Sequence, residues 1–426
     1  MKNFNIDLHF NIKMAPKKKF ILILILGMLT AIGPFSIDMY LPAFTDIAND
    51  LHTTVAHISL SLSSFFIGIS IGQFFYGPLL DRYGRKKPLY GGLMLYLVAS
   101  ALCALATSAD SLIVLRFFQA LGGCAGMVAS RAMVRDVFAV EDNAKVFSLL
   151  MLVVGVSPII APTLGGYVTA AFGWHYVFVL LTIMSVIILI AIHFILPESR
   201  EPDPGYSLKP AAIILNFRNV IKEPQFYTYA FTGAIAAAGL YAYIAGSPTV
   251  FMELFKVSKK QYGWIFSLVA AGLIISSQVN SILLRKFKSE QIIRVALFCQ
   301  AITGTCFFIF SFNGWIGLGG TIFFILIFLS CQGFTFPNSS ALSMAPFSRN
   351  AGSASALMGA IQMGIGAFTS ALVSFLSNHT ALPMAGVMAG CSTLSFCILL
   401  IGGRFIRFKA NLITVEEETV DMIVNS

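Results

Sequence analysis

Residues Gly77 to Lys87 read Gly-Pro-Leu-Leu-Asp-Arg-Tyr-Gly-Arg-Lys-Lys, a short segment with four basic side chains and one acid. It joins two apolar runs, 53–80 and 88–107, each about as long as the roughly 20 residues that cross a bilayer core. The apolar residues do not alternate with a period of two, so both runs are predicted to be helices and not barrel strands. Residues 77–87 are therefore predicted to form a loop between two membrane-spanning helices.

The same pattern extends along the whole chain. Hydrophobic residues make up 57% of the 426 positions and charged residues only 11%, with a mean hydropathy of +0.82. Soluble domains carry about 25% charged residues, so this composition requires lipid as part of the solvent. Twelve runs are predicted to span the membrane, at 20–44, 53–80, 88–107, 110–134, 143–168, 173–196, 226–250, 262–284, 291–312, 315–336, 350–376 and 381–403. The predicted fold class is all-α and membrane-embedded.

A polar, proline-rich segment divides the twelve runs into two sets of six. Proline cannot continue a helix in the ordinary way, so this segment is predicted to be a linker. The predicted units are a tail at 1–19, a six-helix bundle at 20–196, the linker at 197–225, a second six-helix bundle at 226–404 and a tail at 405–426. The stretch before Met14 is polar and unlike the rest, so Met14 is the expected start of the native chain.

The basic residues predict how the chain is oriented. When the spans are counted from the N-terminus, all but four of the 28 Lys and Arg residues fall on one side of the membrane. The exceptions are Lys256, Lys259 and Lys260 on the other side and Arg116 inside a span. Cytoplasmic loops are enriched in Lys and Arg, so both termini are predicted to be cytoplasmic. Topology thereby explains the formal net charge of +9, and no nucleic-acid partner is expected.

The loop at 77–87 has the form G-x-x-x-D-R-x-G-R-K-K, which resembles the loop signature of the major facilitator superfamily. The resemblance implies a fold of two six-helix bundles and a conformational latch formed by Gly77, Asp81, Arg82, Gly84, Arg85 and Asp136. In this latch Asp81 would lie at the start of span eleven and Arg85 would pair with Asp136. Gly77 is expected to let two helices approach closely, and Gly84 to permit a tight turn. The alternative is that the basic residues only set topology.

Span four contains Arg116, an ionisable residue inside an apolar run. An unpaired charge in lipid costs several kcal/mol, so such a residue is by default a candidate functional site. Gln119 lies three residues further and hence on the same helix face, and R-x-x-Q resembles the span-four motif of the superfamily. The alternatives are that Arg116 reaches the membrane interface or forms a structural ion pair.

Span five carries a repeated pattern of glycine and proline. It resembles the antiporter motif found in exporters of the superfamily, at Gly155, Pro158, Pro162, Gly165 and Gly166. Such a pattern predicts a bent helix with one flat, closely packing side. A role in packing alone is the alternative.

Apart from Asp110, the first residue of the predicted span 110–134, Asp38 is the only acid inside a predicted span. Burial favours the neutral form of a carboxyl group, so Asp38, together with Arg116, is predicted to be a proton-coupling site. A helix cap or a permanent ion pair with Arg116 is the alternative. The string G-P-F-S-I-D-M-Y-L-P-A at 33–43 resembles the first span of the Bcr/CflA drug-resistance proton antiporters. This resemblance implies proton-coupled efflux of small drug-like or amphipathic compounds across the bacterial inner membrane.

Polar residues within the spans are candidates for the lining of a substrate cavity. They are Tyr40, Gln119, Tyr241, Asn338 and Gln362. Packing or hydrogen bonding between helices is the alternative for the last three. A break in span seven is predicted at 246–248, where glycine, serine and proline follow one another.

The expected partners are a small-molecule substrate, protons and membrane lipid, and the protein is expected to be a monomer. The seven cysteines lie in apolar runs without the spacing of metal ligands, so no cofactor is predicted apart from the proton as coupling ion. One alternative is a metabolite or nutrient transporter of the same fold. A membrane-embedded sensor or enzyme is more distant, because no span carries a cluster of His, Asp and Glu.

Overall fold

The computed structural model describes residues 16–138, 140–203, 217–347 and 351–424. Its long helices are α1 (Pro16–Asp38), α2 (Val55–Tyr83), α3 (Lys86–Cys103), α4 (Ala109–Val137), α5 (Val140–Phe172), α6 (His175–Phe194), α7 (Pro224–Pro248), α8 (Lys259–Leu283), α9 (Ser289–Phe312), α10 (Leu318–Met344), α11 (Ala351–Phe375) and α12 (Leu382–Val424). No β-strand occurs in these ranges, and the predicted all-α fold of two six-helix sets is confirmed. The predictions for residues 1–13, for Met14 and for the middle of the linker lie outside the described residues.

Eleven of the twelve helices are long and apolar enough to cross a membrane. The exception is α3, which has 18 residues and begins with Lys86 and Lys87. These two charges lower the mean hydropathy of a short helix whose other residues are largely apolar. At 1.5 Å per residue its length is about 27 Å, which is close to the thickness of a bilayer core.

The first span is interrupted in the middle of the predicted run 20–44. The helix α1 ends at Asp38 and is followed by a 3-10 turn, Leu41–Ala43, and a short helix, Phe44–Asp50. Pro42 has no backbone N–H to donate, which accounts for the interruption. The prediction of one continuous helix is therefore wrong, and Asp38 lies at a helix end instead of in a helix interior.

The seventh span is interrupted at the corresponding place. The helix α7 ends at Pro248, and a π-helical segment, Thr249–Leu254, follows directly. The change of helix type thus comes just after the predicted break at 246–248. Each half of the molecule has one interrupted span near the same end, as is common in transporters built from structural repeats.

The two halves pack against each other along two helix pairs. The helix α2 packs on α11, and α5 packs on α8. In the first pair, the Ser70 hydroxyl donates a hydrogen bond of 2.9 Å to the carbonyl oxygen of Ala360. In the second pair, the hydroxyl oxygens of Thr163 and Ser267 are 3.0 Å apart and share a hydrogen bond. These two seams are the most extensive contacts between the halves.

The closest approaches of α2 to α4 occur at Gly68 and Gly72. A Cβ at Gly68 would lie 2.5 Å from the carbonyl oxygen of Phe117, and one at Gly72 would lie 2.7 Å from the Cβ of Cys124. The close approach predicted at Gly77 is wrong for the described part of the chain, where a Cβ would meet no atom within 4 Å. Gly77 follows Gly72 by five residues and therefore points to a different side of the helix.

The last helix extends beyond the predicted last span. The prediction ends the span at 403 and places a tail at 405–426, whereas α12 continues to Val424. Residues 404–424 contain neither proline nor glycine, so no residue in this stretch ends the helix. The part of this helix that is apolar enough to cross a membrane is Leu382–Ile406, so the predicted last span is confirmed and the residues after it continue the same helix.

Replacing Gly68 with leucine is expected to destabilise the protein, because the new side chain would overlap the backbone of α4. Overpacking of this kind costs about 1–3 kcal/mol, which would lower the midpoint of thermal unfolding in detergent. Gly91→Leu is the matched control, because a Cβ at Gly91 would meet no atom within 4 Å. Equal midpoints for the two variants would contradict the packing described for α2 and α4.

Candidate functional site

Asp38 occupies the last position of α1, where the two halves of the molecule meet. Its side chain is buried, with 4% of its surface exposed. Within the described ranges, its carboxylate forms neither an ion pair nor a hydrogen bond. The hydroxyl groups of Tyr243 on α7 and Tyr262 on α8 lie within reach of its charge. A carboxyl group of the first half is thus enclosed beside two phenols of the second half.

The hydrogen bonds of these two tyrosines differ. The Tyr262 hydroxyl is 2.7 Å from the hydroxyl of Ser247, with which it shares a hydrogen bond. The buried Tyr243 hydroxyl has no hydrogen-bond partner in the part of the chain that the structure describes. The surroundings of Asp38 therefore contain one polar group whose hydrogen-bonding capacity is unused.

Arg116 is fully buried and binds the end of α1. Its Nη2 donates a hydrogen bond of 2.8 Å to the carbonyl oxygen of Ser36, and its Nη1 donates one of 2.5 Å to Oε1 of Gln119. The last four carbonyls of a helix have no partner within the helix, and a cation is favourable at this end. Arg116 therefore caps α1 two residues before Asp38.

Aromatic rings enclose the guanidinium group of Arg116. Its Cζ is 4.2 Å from the ring centroid of Phe65, 4.6 Å from that of Tyr40 and 5.9 Å from that of Phe178. Attraction between a cation and an aromatic face is worth about 2 kcal/mol when the groups are desolvated. The rings partly compensate a charge that has no acidic partner among the described residues.

The structure shows neither of the two alternatives for Arg116, which were a side chain that reaches the membrane interface and a structural ion pair. Its side chain is 0% exposed, so it does not reach the membrane interface. Neither does it pair with Asp38 in the described structure, because its hydrogen bonds go to Ser36 and Gln119. Arg116 instead caps the end of the helix that carries Asp38.

Two of the predicted cavity residues are buried inside the first half. Gln119 is 0% exposed and donates a hydrogen bond of 2.8 Å from Nε2 to the Ser100 hydroxyl. Tyr40 is also 0% exposed, and its hydroxyl is hydrogen-bonded to Ser61. The prediction that they line a cavity is therefore wrong for this conformation, because both side chains support Arg116 and the packing around it.

The other predicted cavity residues separate into two places. Tyr241 and Gln362 are brought together between α7 and α11, with 3.4 Å from Nε2 of Gln362 to the Tyr241 hydroxyl. The Tyr241 ring packs edge-on against Phe66 of α2, with 4.8 Å between ring centroids. Asn338 instead donates a hydrogen bond of 2.7 Å to Oδ1 of Asn280. Tyr241 and Gln362 lie where the halves meet, whereas Asn338 joins two helices of the second half.

The loop between α2 and α3 is shorter than the predicted loop at 77–87, because α2 continues to Tyr83 and α3 begins at Lys86. Arg85 in this loop forms the predicted pair with Asp136, which lies in the last turn of α4. The distance from Nε of Arg85 to Oδ2 of Asp136 is 2.6 Å, and Nη1 of Arg85 is 2.9 Å from Oδ1 of Asp81. Gly84 has φ +82°, a conformation that L side chains rarely adopt, so the predicted tight turn is confirmed. Arg82 lies in the last turn of α2. The start of span eleven, where Asp81 was expected, includes residues outside the described ranges.

Three residues after α6, Glu198, Ser199 and Arg200, also contact this loop and Asp136. The sequence predicted them only as part of the linker. Nη1 of Arg200 is 2.9 Å from Oδ1 of Asp81, and the Ser199 hydroxyl donates to Oδ2 of Asp136 at 3.1 Å. The Glu198 carboxylate accepts hydrogen bonds from the backbone N–H groups of Arg85, at 2.7 Å, and Lys86, at 3.0 Å. An acid at the first turn of α3 is favourable for the helix dipole. Alternating charge directly after span six was the signal that could have found them.

The antiporter pattern in α5 lies at the seam with α8. A Cβ at Gly165 would overlap the carbonyl oxygen of Met39, directly after Asp38, and one at Gly166 would lie 2.7 Å from the carbonyl oxygen of Lys259. Gly155 is less constrained, because a Cβ at this position would lie 3.7 Å from Cγ1 of Ile274, which is an ordinary van der Waals contact. Pro158 and Pro162 lie within the helix. The two glycines therefore permit backbone contact next to the proton-coupling candidate.

An ion pair joins the halves at this same end. Lys259 at the start of α8 pairs with Asp46 in the short helix after α1. We call this end the outer side, and the end with the loop at 77–87 the basic side. Backbone contact at Gly165 and Gly166 and this ion pair close the outer side over Asp38.

The chain is similar to a known protein family and to known proteins over most of its length. The sequence profile of the Major Facilitator Superfamily matches residues 26–371. The chain is 30% identical over 379 residues to a bicyclomycin resistance protein homolog of Haemophilus influenzae, covering 89% of this chain and 95% of that protein. It is 28% identical over 375 residues to the multidrug resistance protein MdtL of Escherichia coli, covering 87% and 93%.

Solved structures with a similar fold include two transporters. A D-xylose–proton symporter matches with a TM-score of 0.69 at 13% identity, covering 89% of this chain and 97% of that chain. A bacterial homolog of the human lysosomal transporter Spinster matches with a TM-score of 0.67 at 14% identity, covering 93% and 98%. At such low identity these similarities concern the fold alone.

Replacing Glu198 with glutamine is expected to lower the midpoint of thermal unfolding, because the first turn of α3 loses a charged acceptor. Loss of a helix cap typically costs about 1 kcal/mol. Glu201→Gln is the matched control, since it makes the same change three residues further on an exposed side chain. If both variants unfolded at the wild-type midpoint, Glu198 would not stabilise the loop.

Proposed function

Because the chain belongs to the Major Facilitator Superfamily, we propose that it exports small drug-like or amphipathic compounds in exchange for protons across the bacterial inner membrane. Membership makes the chain an integral, multi-pass membrane transporter of small molecules and not an enzyme. The names of the relatives refer to bicyclomycin resistance and multidrug resistance, which supports export of drugs. In this proposal both termini and the basic side face the cytoplasm, in agreement with the distribution of Lys and Arg.

The observation that carries the proposal is the burial of Asp38 without an ionic partner. A charged carboxylate enclosed in an apolar site is costly unless it is paired. The negative end of the α1 dipole adds to this cost, because Asp38 is the last residue of the helix. Protonation removes both costs, so it favours the outer side being closed over Asp38.

The proton and the substrate are then coupled through the same closure. A proton arriving from outside neutralises Asp38, and the halves close around it on the outer side. Substrate from the cytoplasm competes with this proton, and the charged Asp38 favours opening of the outer side, where water can reach the carboxylate. Coupling requires only that protonation and substrate binding favour different conformations of the transporter.

Arg116 and the loop on the basic side have separate roles in this mechanism. Arg116 holds the end of α1 in place while Asp38 gains and loses its proton. On the basic side, the contacts of Arg85 with Asp81 and Asp136 bias the equilibrium between the two conformations. Each role depends on a small difference in free energy between the two conformations of the transporter, which is sufficient to shift the equilibrium between them.

Asp38→Asn is expected to abolish proton-dependent export, because an amide cannot release a proton and mimics the neutral acid. The measurement is accumulation of a drug panel, including a phenicol, in efflux-deficient cells with and without an uncoupler. Asp110→Asn is the matched control, since Asp110 is exposed and pairs only with His57. Thermal unfolding of the purified variants would show that both fold.

Two outcomes would decide the proposal. Lower drug accumulation that requires both Asp38 and the proton gradient would support proton-coupled export and would identify a substrate. Uncoupler-sensitive export by Asp38→Asn at the wild-type rate would contradict the role of Asp38.

A further inference from the structure

The helix α4 carries a second arginine that the proposed coupling mechanism does not use. Arg131 lies six residues before α4 ends at Val137, which corresponds to about 9 Å of helix. Its side chain is partly enclosed by the protein instead of extending freely from the surface. In the described part of the chain, its guanidinium group forms no hydrogen bond and no ion pair. A residue that only sets topology does not need to be enclosed in this way.

The position of Arg131 on α4 shows which way it faces. Met127 contacts α1, with its Sδ 3.0 Å from the Cβ position of Gly33, and Cys124 contacts Gly72 of α2. Arg131 follows Met127 by four residues and Cys124 by seven, so it lies on the stripe of α4 between these two neighbours. The third neighbour, α3, packs on the opposite side of α4, where a Cβ at Gly122 would lie 2.5 Å from the backbone nitrogen of Tyr96, and α4 has no extensive contact with the second half in the described structure. This stripe therefore faces the space between the halves.

Among the described side chains, no acid forms an ion pair with Arg131. The nearest basic residue is Arg135, an exposed side chain one helical turn further, and like charges at this spacing repel each other. Asp136 is close in sequence but is engaged by Arg85 and the Ser199 hydroxyl. Helices α7, α8, α10 and α11 of the opposite half contain no Asp or Glu. Two cations one turn apart thus lie near the basic side without an acidic partner among the side chains that the structure describes.

We propose that Arg131 binds the negatively charged group of an amphipathic organic anion, such as a carboxylate or a sulfonate, that enters from the basic side. Arg135, which lies one helical turn nearer the basic side, attracts the same negatively charged group. A guanidinium suits this role, because it stays charged and donates several hydrogen bonds in a fixed geometry. The proposal names a substrate class for the exporter proposed above and rests on that function for the direction of movement. An inside-negative membrane potential would assist outward movement of an anion.

The test compares two probes that differ in one charged group. 1-Anilinonaphthalene-8-sulfonate is a fluorescent anion, and N-phenyl-1-naphthylamine is the same ring system without the sulfonate. Binding of each to the purified full-length protein in detergent is measured by fluorescence titration for wild type, Arg131→Gln, Arg131→Lys and Arg294→Gln. Arg294 is the matched control, because it is an exposed arginine on α9 outside the space between the halves.

Arg131→Gln is expected to weaken binding of the sulfonate about ten-fold or more, since a charge-assisted contact is lost, and to leave binding of the neutral probe unchanged. Arg131→Lys should retain part of the sulfonate affinity, and Arg294→Gln should retain all of it. Equal sulfonate binding by wild type and Arg131→Gln would overturn the proposal. Parallel loss of both probes with a lower unfolding midpoint in Arg131→Gln, and none of this in Arg131→Lys, would assign Arg131 a structural role.

These outcomes are independent of the export proposal. The titration uses no proton gradient, so it reports sulfonate binding by the wild-type protein even if proton coupling fails. Loss of drug export in cells with unchanged sulfonate binding would reject the export function and leave the anion site standing.

Discussion

The hydrogen bond from Arg116 to the carbonyl oxygen of Ser36 is the contact on which the site depends. It joins α4 to the end of α1 and satisfies one of the last four carbonyl groups of that helix, which have no partner within the helix. Because the guanidinium is enclosed by the rings of Phe65 and Tyr40, its position is fixed in all directions. Asp38 therefore lies at a helix end that is held rigidly, next to the surface where the halves close.

Different interactions stabilise the outer side and the basic side of the molecule. On the outer side, Gly165 and Gly166 permit backbone contact, and the pair of Asp46 with Lys259 adds a charge interaction across the seam. On the basic side, Asp81, Arg85 and Asp136 form one connected set of ion pairs and hydrogen bonds with the segment after α6, and this set lies within the first half. Alternating access requires that either end can open.

The sequence predicted the features that follow from local chemistry. Hydropathy located the spans, glycine at position 84 predicted the turn, and the loop signature predicted the pair of Arg85 and Asp136. Features that depend on the packing of distant segments could not be predicted. The cap that Arg116 provides depends on where α1 ends, and the contacts of Glu198 with the start of α3 join residues more than a hundred positions apart. Tyr40 and Gln119 were assigned to a cavity because polarity alone does not distinguish a buried network from a lining.

The central claim is that Asp38 exchanges its proton when substrate binds. Proton release on substrate binding tests it most directly, measured in weakly buffered detergent solution with a pH indicator and the compound whose accumulation changes most in cells. Wild-type protein should release protons on binding, whereas Asp38→Asn protein, whose residue 38 is permanently neutral, should bind the compound more weakly and release no protons at saturation. Proton release of the same size from both proteins would contradict the account and would require another group to carry the proton.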